Sequence, residues 1–128
     1  MSVALVFITH EGIASNLVKI GEAILQRKNN NLTTIEVPMD SPIEEKIDEI
    51  DSELQQLDIK DGMIFITDVY GSTPSNIAQQ LASTHNSHLV SGVNLPMVIR
   101  LLNYRDESEL CLLQKALDGA HQGIELKI

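Results

Sequence analysis

A chain of 128 residues with 43% hydrophobic side chains is long enough to bury a core, which excludes a disordered protein. The formal net charge of -9 argues against nucleic acid or an anionic membrane surface as a partner. The single cysteine, Cys111, excludes an internal disulfide, and the first apolar run is too short for a signal sequence or a membrane span. We therefore expect one cytoplasmic domain over residues 1–128, with no direct insertion into a membrane.

The first third of the chain alternates strand-like and helix-like patterns. Residues 3–8 form a continuous apolar run, which is typical of a parallel strand covered on both faces. Residues 32–37 indicate a second strand. Between them, apolar residues at spacings of three and four predict a helix whose buried face carries Ile13, Leu17, Ile20 and Ile24.

A second helix and a third strand follow. Ser41, Pro42 and Glu44 have the pattern of a capping box, which predicts that a helix begins there. Residues 63–67 predict the third strand. The predicted buried stripe of this second helix consists of Ile43, Ile47, Ile50, Leu54 and Leu57.

The second half repeats the alternation. Thr73 and Pro74 begin a third helix, and residues 89–93 form a fourth strand. Residues 96–104 and 106–120 predict two further helices, the last of them with Asp106 and Glu109 as a capping box. The predicted inward face of the third helix consists of Ile77, Ala78, Leu81 and Ala82.

The C-terminal segment, residues 123–128, differs from the earlier strands because apolar and polar side chains alternate. Such alternation predicts an antiparallel edge strand. The order of elements predicts an α/β three-layer sandwich with a mainly parallel sheet of order 2-1-3-4. Ligands of such sheets bind beyond the carboxyl ends of the strands, so the functional loops are expected at residues 9–12, 38–41, 68–74 and 94–96.

Two of these loops carry titratable side chains, His10 and Asp68. If the first and third strands are neighbours, the two side chains emerge together at one edge of the sheet. A carboxylate that accepts a hydrogen bond from one ring nitrogen fixes the tautomer and leaves the other nitrogen as a nucleophile. We therefore interpret His10 as a candidate nucleophile and Asp68 as the residue that orients it.

The loop after Asp68 has the features of an anion site. Gly71 permits a tight turn, Ser72 and Thr73 offer hydroxyl groups, and the helix that begins at Thr73 favours a negative charge at its N-terminus. A nucleophilic imidazole beside an anion site suggests phosphoryl transfer through a phosphohistidine. Taken alone, each feature is an ordinary loop or capping residue, so the hypothesis depends on the inferred strand order.

Other chemistries have less support. The sequence has no G-x-S-x-G, G-x-G-x-x-G or Walker A motif, and we expect no cofactor. His85 and His88 suggest a metal site, but no third ligand accompanies them, so we expect no metal. Neither His121 nor Cys111 is expected to take part in chemistry.

Three motifs stand at the ends of predicted strands: Thr9-His10, residues 68–76 (DVYGSTPSN) and residues 92–97 (GVNLPM). Over essentially its whole length, the chain resembles the enzyme IIA component of the mannose-type bacterial phosphotransferase system (PTS). The resemblance implies that His10 accepts a phosphoryl group from the phosphocarrier HPr and passes it to a IIB component. It also implies a homodimer that exchanges the C-terminal strand.

The resemblance assigns roles to individual residues. Asp68 would orient the His10 ring. The residues that it places around the phosphate are Thr9, Gly71, Ser72, Thr73 and Asn94.

Two positions depart from the family pattern, and two other functions remain open. Glu11 stands where glycine is common after the histidine, and Ser72 stands where a second glycine is usual. The IIB domain that is fused in some members is not part of the 128 residues. One alternative is a regulatory module whose phosphorylation state is read by a partner without sugar transport. The other is the phosphotransfer subunit of a dihydroxyacetone kinase, against which residues 92–97 argue.

Overall fold

Strands and helices alternate along almost the whole chain in the computed structural model, which describes residues 2–128. The elements are β1 (Ala4–His10), α1 (Ala14–Leu25), β2 (Leu32–Val37), α2 (Ile43–Leu54), β3 (Met63–Thr67), α3 (Thr73–Thr84), β4 (His88–Val90), α4 (Leu95–Asn103) and α5 (Glu109–Gln122). β1 continues two residues beyond the apolar run, and β4 is shorter than the predicted strand.

The four strands form one parallel sheet in the order β2-β1-β3-β4, which confirms the predicted order. Within it, Ile8 of β1 pairs with Thr67 of β3, and His10 pairs with Val37 of β2. The carboxyl ends of β1, β2 and β3 therefore meet at one edge, which we call the carboxyl edge. This edge carries both His10 and Asp68.

Helices cover both faces of the sheet, so the fold is the expected three-layer sandwich. Alternate residues of β1 enter two separate cores because successive side chains of a strand point to opposite faces. Leu5 and Phe7 pack in a core with residues of α1, α4 and α5. Val6 and Ile8 pack in a second core with residues of α2 and α3. The predicted inward face of α3 is buried as expected.

The predicted buried face of α1 is only partly correct: Leu17 packs against the core, but two of the predicted isoleucines lie outside it. Ile20 is 46% exposed and Ile24 is 53% exposed, whereas the buried residues are Ala14, Val18 and Gly21. The reason is close packing of this helix against α4: a Cβ atom added at Gly21 would lie 3.1 Å from a Leu102 methyl carbon and 3.2 Å from one of Val98. Small residues therefore form the contact face, and the larger isoleucines remain outside.

Both predicted capping boxes are also wrong. The Ser41 hydroxyl donates to the carbonyl of Pro38 at 2.8 Å, and α2 begins at Ile43 without a side-chain cap. In α5 the cap is Ser108, whose hydroxyl oxygen accepts from the Cys111 amide. Glu109 instead accepts from the Met63 amide at 3.1 Å, because its helix packs beside the start of β3.

The C-terminal edge strand is not formed in this chain. Residues 123–128 lie outside the sheet and are exposed. An isolated strand has no partner for its backbone groups, and the segment follows α5 directly into solvent. Of the helices that the structure describes, none is long and apolar enough to span a lipid bilayer.

Arg105 stabilises the edge of the sheet opposite the carboxyl edge, where β1 and β2 begin. Its side chain is buried, and its Nη2 atom donates to the carbonyls of Val3 at 2.8 Å and Asn31 at 3.1 Å. Nη1 donates to the side chain of Asn29 at 3.2 Å. Burial lowers the pKa of this guanidinium, and Asp106 partly opposes that effect.

We expect Arg105→Met to lower the free energy of unfolding by about 2–4 kcal/mol, because buried carbonyls lose a charged donor. Urea denaturation followed by circular dichroism measures the difference. The matched control is Lys28→Met, an exposed position, which should change stability by less than about 0.5 kcal/mol. Equal stability of the two variants would contradict the structural role of Arg105.

Candidate active site

His10 and Asp68 are joined by two hydrogen bonds at the carboxyl edge. Nδ1 of His10 lies 2.7 Å from Oδ2 of Asp68, and the backbone amide of His10 donates to the same oxygen at 3.0 Å. The imidazole side chain is 34% exposed, whereas that of Asp68 is only 7% exposed. The carboxylate is therefore enclosed, and the ring faces solvent.

The pKa of Asp68 lies below its usual value. Burial acts to raise it, but hydrogen bonds from the backbone and ring of His10 and from the Val69 amide outweigh burial. A carboxylate that is ionised near neutral pH only accepts hydrogen bonds, so Nδ1 of His10 must be the donor. This arrangement leaves the lone pair on Nε2, the exposed side of the ring.

Thr9 holds the turn between β1 and α1. Its hydroxyl donates to the carbonyl of His10 at 2.9 Å and accepts from the amide of Ala14 at 3.0 Å. The side chain is fully buried. The resemblance places Thr9 at the phosphate, but these backbone groups already occupy its hydroxyl, so a contact with phosphate stays a prediction.

The loop between β3 and α3 forms the other wall of the site. Gly71 has φ +89°, a left-handed conformation that favours glycine. Ser72 caps α3: its hydroxyl accepts from the Ser75 amide at 3.4 Å and donates to the Val69 carbonyl at 2.6 Å. The buried Ser75 hydroxyl accepts from the Gly71 amide at 3.2 Å. Thr73 is exposed at the first helical position, where backbone amides have no intrahelical acceptor.

Residues 92–97, the third motif, are held beside the carboxyl edge by backbone and side-chain hydrogen bonds. The amide of Gly92 donates to the carbonyl of Asp68 at 2.9 Å. Asn94 caps α4 by accepting from the Met97 amide at 3.0 Å, and its Nδ2 donates to the Ala120 carbonyl of α5 at 3.2 Å. Asn94 therefore follows a loop that is tied to Asp68, and its own amide group joins α4 and α5.

Glu36, on β2, is a site residue that sequence reasoning missed. Its carboxylate accepts from the amides of Gly12 and Ser15, both at 2.9 Å, and from the Ser15 hydroxyl at 2.7 Å. These bonds, that of Gly12 first, lower the pKa of Glu36 against a small opposing effect of burial. Only the register of β1 and β2, which pairs Glu36 with Thr9, predicts this contact.

The remaining candidates lie apart from this site. His85 is 2.8 Å from a carboxylate oxygen of Asp51, and His88 is 3.7 Å from one of Glu109. Within residues 2–128, no three acidic, histidine or cysteine side chains form a group that could hold a metal ion. Glu11 is exposed on the turn after His10.

The sequence of the chain matches a known protein family. Residues 4–116 match the family described as the PTS system fructose IIA component. The chain is 28% identical over 128 residues to the PTS system mannose-specific EIIAB component of Escherichia coli K12, covering 98% of this chain and 39% of that protein. The chain thus spans well under half the length of this curated relative.

Two solved structures have the same fold. The mannose/sorbose specific IIA subunit of the phosphotransferase system from Enterococcus faecalis superposes with a TM-score of 0.85 at 16% identity, covering 100% of this chain and 96% of that one. The EIIA component from Streptococcus agalactiae gives a TM-score of 0.82 at 19% identity, covering 97% and 96%. The architecture is therefore that of phosphotransferase-system IIA proteins.

The chain belongs to the PTS fructose IIA family, because the family match extends over most of the chain. This membership confirms the resemblance seen in the motifs. Members of this family are phosphotransferases that pass phosphoryl groups through a phosphohistidine.

The Asp68 carboxylate predicts how stability depends on pH. Since the pKa of Asp68 is depressed in the folded state, the stability from its ionised form is complete above the usual carboxyl pKa of about 3.9. That stability is lost as the pH falls through the lower folded value. We expect Asp68→Asn to be less stable than the unsubstituted protein near neutral pH, and the gap should shrink below about pH 4.

Urea denaturation at a series of pH values measures this gap. Asp48→Asn, on the exposed face of α2, removes the same charge without a comparable contact and should give little difference at any pH. A gap for Asp68→Asn that stays constant into strong acid would show that its hydrogen bonds do not depend on ionisation.

Proposed function

We propose that residues 1–128 act as one IIA domain and serve as the cytoplasmic phosphocarrier of a sugar phosphotransferase system. In this proposal His10 accepts the phosphoryl group of phospho-HPr and passes it to a IIB component. The observation that carries it is the 2.7 Å contact of Nδ1 with the enclosed Asp68 carboxylate, which leaves Nε2 on the exposed side of the ring.

The transfer step follows from this geometry. The Nε2 lone pair attacks phosphorus, the N–P bond of phospho-HPr breaks, and the electron pair returns to the histidine of HPr. The proton on Nδ1 stays in its hydrogen bond to Asp68, whose negative charge balances the positive charge that develops on the ring. The second transfer, to a IIB component, reverses these roles at Nε2.

We assign the phosphoryl oxygens to the start of α3. There Gly71 keeps the backbone free of a side chain, Ser72 orders the turn, and the exposed Thr73 offers a hydroxyl and an amide at the positive end of the helix dipole. Thr9 and Asn94 support the site through the turns that they hold.

The surface around His10 favours protein partners over a small substrate. Met39, Val69 and Tyr70 extend from the loops of the carboxyl edge and are 77%, 60% and 68% exposed. Apolar side chains at an open surface of this kind are typical of protein contacts. Exposed Glu11 and Asp40 add negative charge, which suits a basic partner surface.

We expect incubation with phosphoenolpyruvate, enzyme I and HPr to phosphorylate the unsubstituted protein on Nε2 and to leave His10→Ala unlabelled. Labelling is read on gels, and the ring nitrogen is identified by NMR of the phosphohistidine. Asp68→Ala should slow labelling about 10²-fold or more, since the ring loses its orientation and charge partner.

The matched control is His88→Ala, at the amino end of β4 and therefore at the opposite edge of the sheet. It should be labelled like the unsubstituted protein. Equal labelling of His10→Ala and His88→Ala would refute the proposal. Labelling of His10 without onward transfer to any IIB component would favour the regulatory alternative.

We also propose a homodimer built through the C-terminal segment. Ile124, Leu126 and Ile128 alternate with polar residues and are exposed, and β4 is an edge strand of only three residues. An alternating segment that adds to the open edge of another copy would bury these side chains and pair their backbone groups.

Deleting residues 124–128 should convert the dimer to a monomer, because it removes the three exposed apolar residues. Size-exclusion chromatography with light scattering measures the mass. Lys127→Ala, which leaves all three apolar residues in place, is the control and should remain dimeric. A truncated chain with the mass of a dimer would contradict this arrangement.

A further inference from the structure

Two helices begin beside His10, on opposite faces of the sheet. α1 packs in the core on one face and α3 in the core on the other. Both N-termini lie at the carboxyl edge, since β1 and β3 end there. Each helix N-terminus attracts negative charge, so both would attract a phosphoryl group on the His10 ring.

The N-terminus of α1 is already occupied by Glu36. The carboxylate accepts the amides of Gly12 and Ser15 and the Ser15 hydroxyl, at distances of 2.7–2.9 Å. These bonds lower the pKa of Glu36, so the group is a fixed anion at neutral pH. At α3, by contrast, the cap is the uncharged Ser72.

We propose that Glu36 is a positioning residue: by occupying the N-terminus of α1 as an internal anion, it directs the phosphoryl group to the start of α3 and keeps the phosphohistidine poised to transfer. The inference rests on the proposed phosphorylation of His10. It adds a residue that touches neither the ring nor the phosphoryl group.

Glu36 and the groups that it binds are close to His10 in the chain or in the strand register, so its charge is expected to act at the site. Gly12 lies two residues after His10, and Glu36 precedes Val37, the register partner of His10. The carboxylate therefore contacts the turn that directly follows His10, and we expect its charge to act on the ring. A charge at a helix N-terminus changes an equilibrium by about two- to fivefold. Repulsion between Glu36 and the phosphoryl dianion should disfavour phosphohistidine by that factor.

The test is the equilibrium constant for phosphoryl exchange between purified phospho-HPr and this chain, read from the phosphorylated fractions on gels. In Glu36→Gln the negative charge is lost, although the amide oxygen can still accept from a backbone amide at the start of α1. The constant should rise about two- to fivefold in favour of the phosphorylated chain. Damage to the fold would lower phosphorylation, so the expected direction separates positioning from a purely structural role.

A second variant keeps the test valid if the glutamine amide disturbs the turn. Glu36→Thr introduces a residue that is favourable in strands, as Thr33 and Thr34 of the same strand show. Threonine also places no N–H group against the α1 amides. The matched charge control is Glu53→Gln, exposed near the end of α2 and at the opposite edge of the sheet. It should leave the constant unchanged.

The results have distinct meanings. A rise in both Glu36 variants but not in Glu53→Gln supports the positioning role. An unchanged or lowered constant in both folded Glu36 variants overturns it while leaving phosphorylation of His10 intact. If the unsubstituted protein is not phosphorylated on His10 at all, the proposed function itself is overturned, and the role of Glu36 falls with it.

Discussion

Parallel pairing of β1 with β3 places the side chains of His10 and Asp68 in contact, although these residues are 58 positions apart in the chain. Ile8 pairs with Thr67, so both strands leave the sheet together, and Asp68 reaches the backbone amide and the ring of His10. A slip of one residue in this register would turn every side chain of β3 to the other face. The buried cores on both faces prevent such a slip, and the geometry of the site is therefore a property of the whole sheet.

The loops at this edge are held by the same residues that form its motifs. Ser72 and Asn94 each cap a helix, and the amide of Gly92 is tied to the carbonyl of Asp68. A motif residue can thus be needed for the site without contacting the transferred group. Ser72 is one example: its hydroxyl supplies the cap of α3 at a position where the resemblance predicts glycine.

Much of the fold was predictable because buried parallel strands are continuous apolar runs and because α3 has a regular apolar stripe. The pair of His10 and Asp68 was predictable too, once the common strand order was assumed. The face of α1 was not, since it depends on how closely α4 approaches Gly21. The Glu36 carboxylate joins β2 to the turn after β1 and to the first turn of α1, and no local pattern indicates such a contact.

The close packing of α1 at Gly21 has a consequence for the rate of the proposed phosphoryl transfer. A Cβ at this position would lie only 3.1 Å from Leu102, so α1 packs closely against α4 here, and Glu36 holds the first turn of α1 at its other end. We expect the proposed transfer to need no rearrangement of this turn. Its rate should then depend on how often a phosphorylated partner arrives in the correct orientation and on how strongly dissolved salt screens the attraction between the two surfaces.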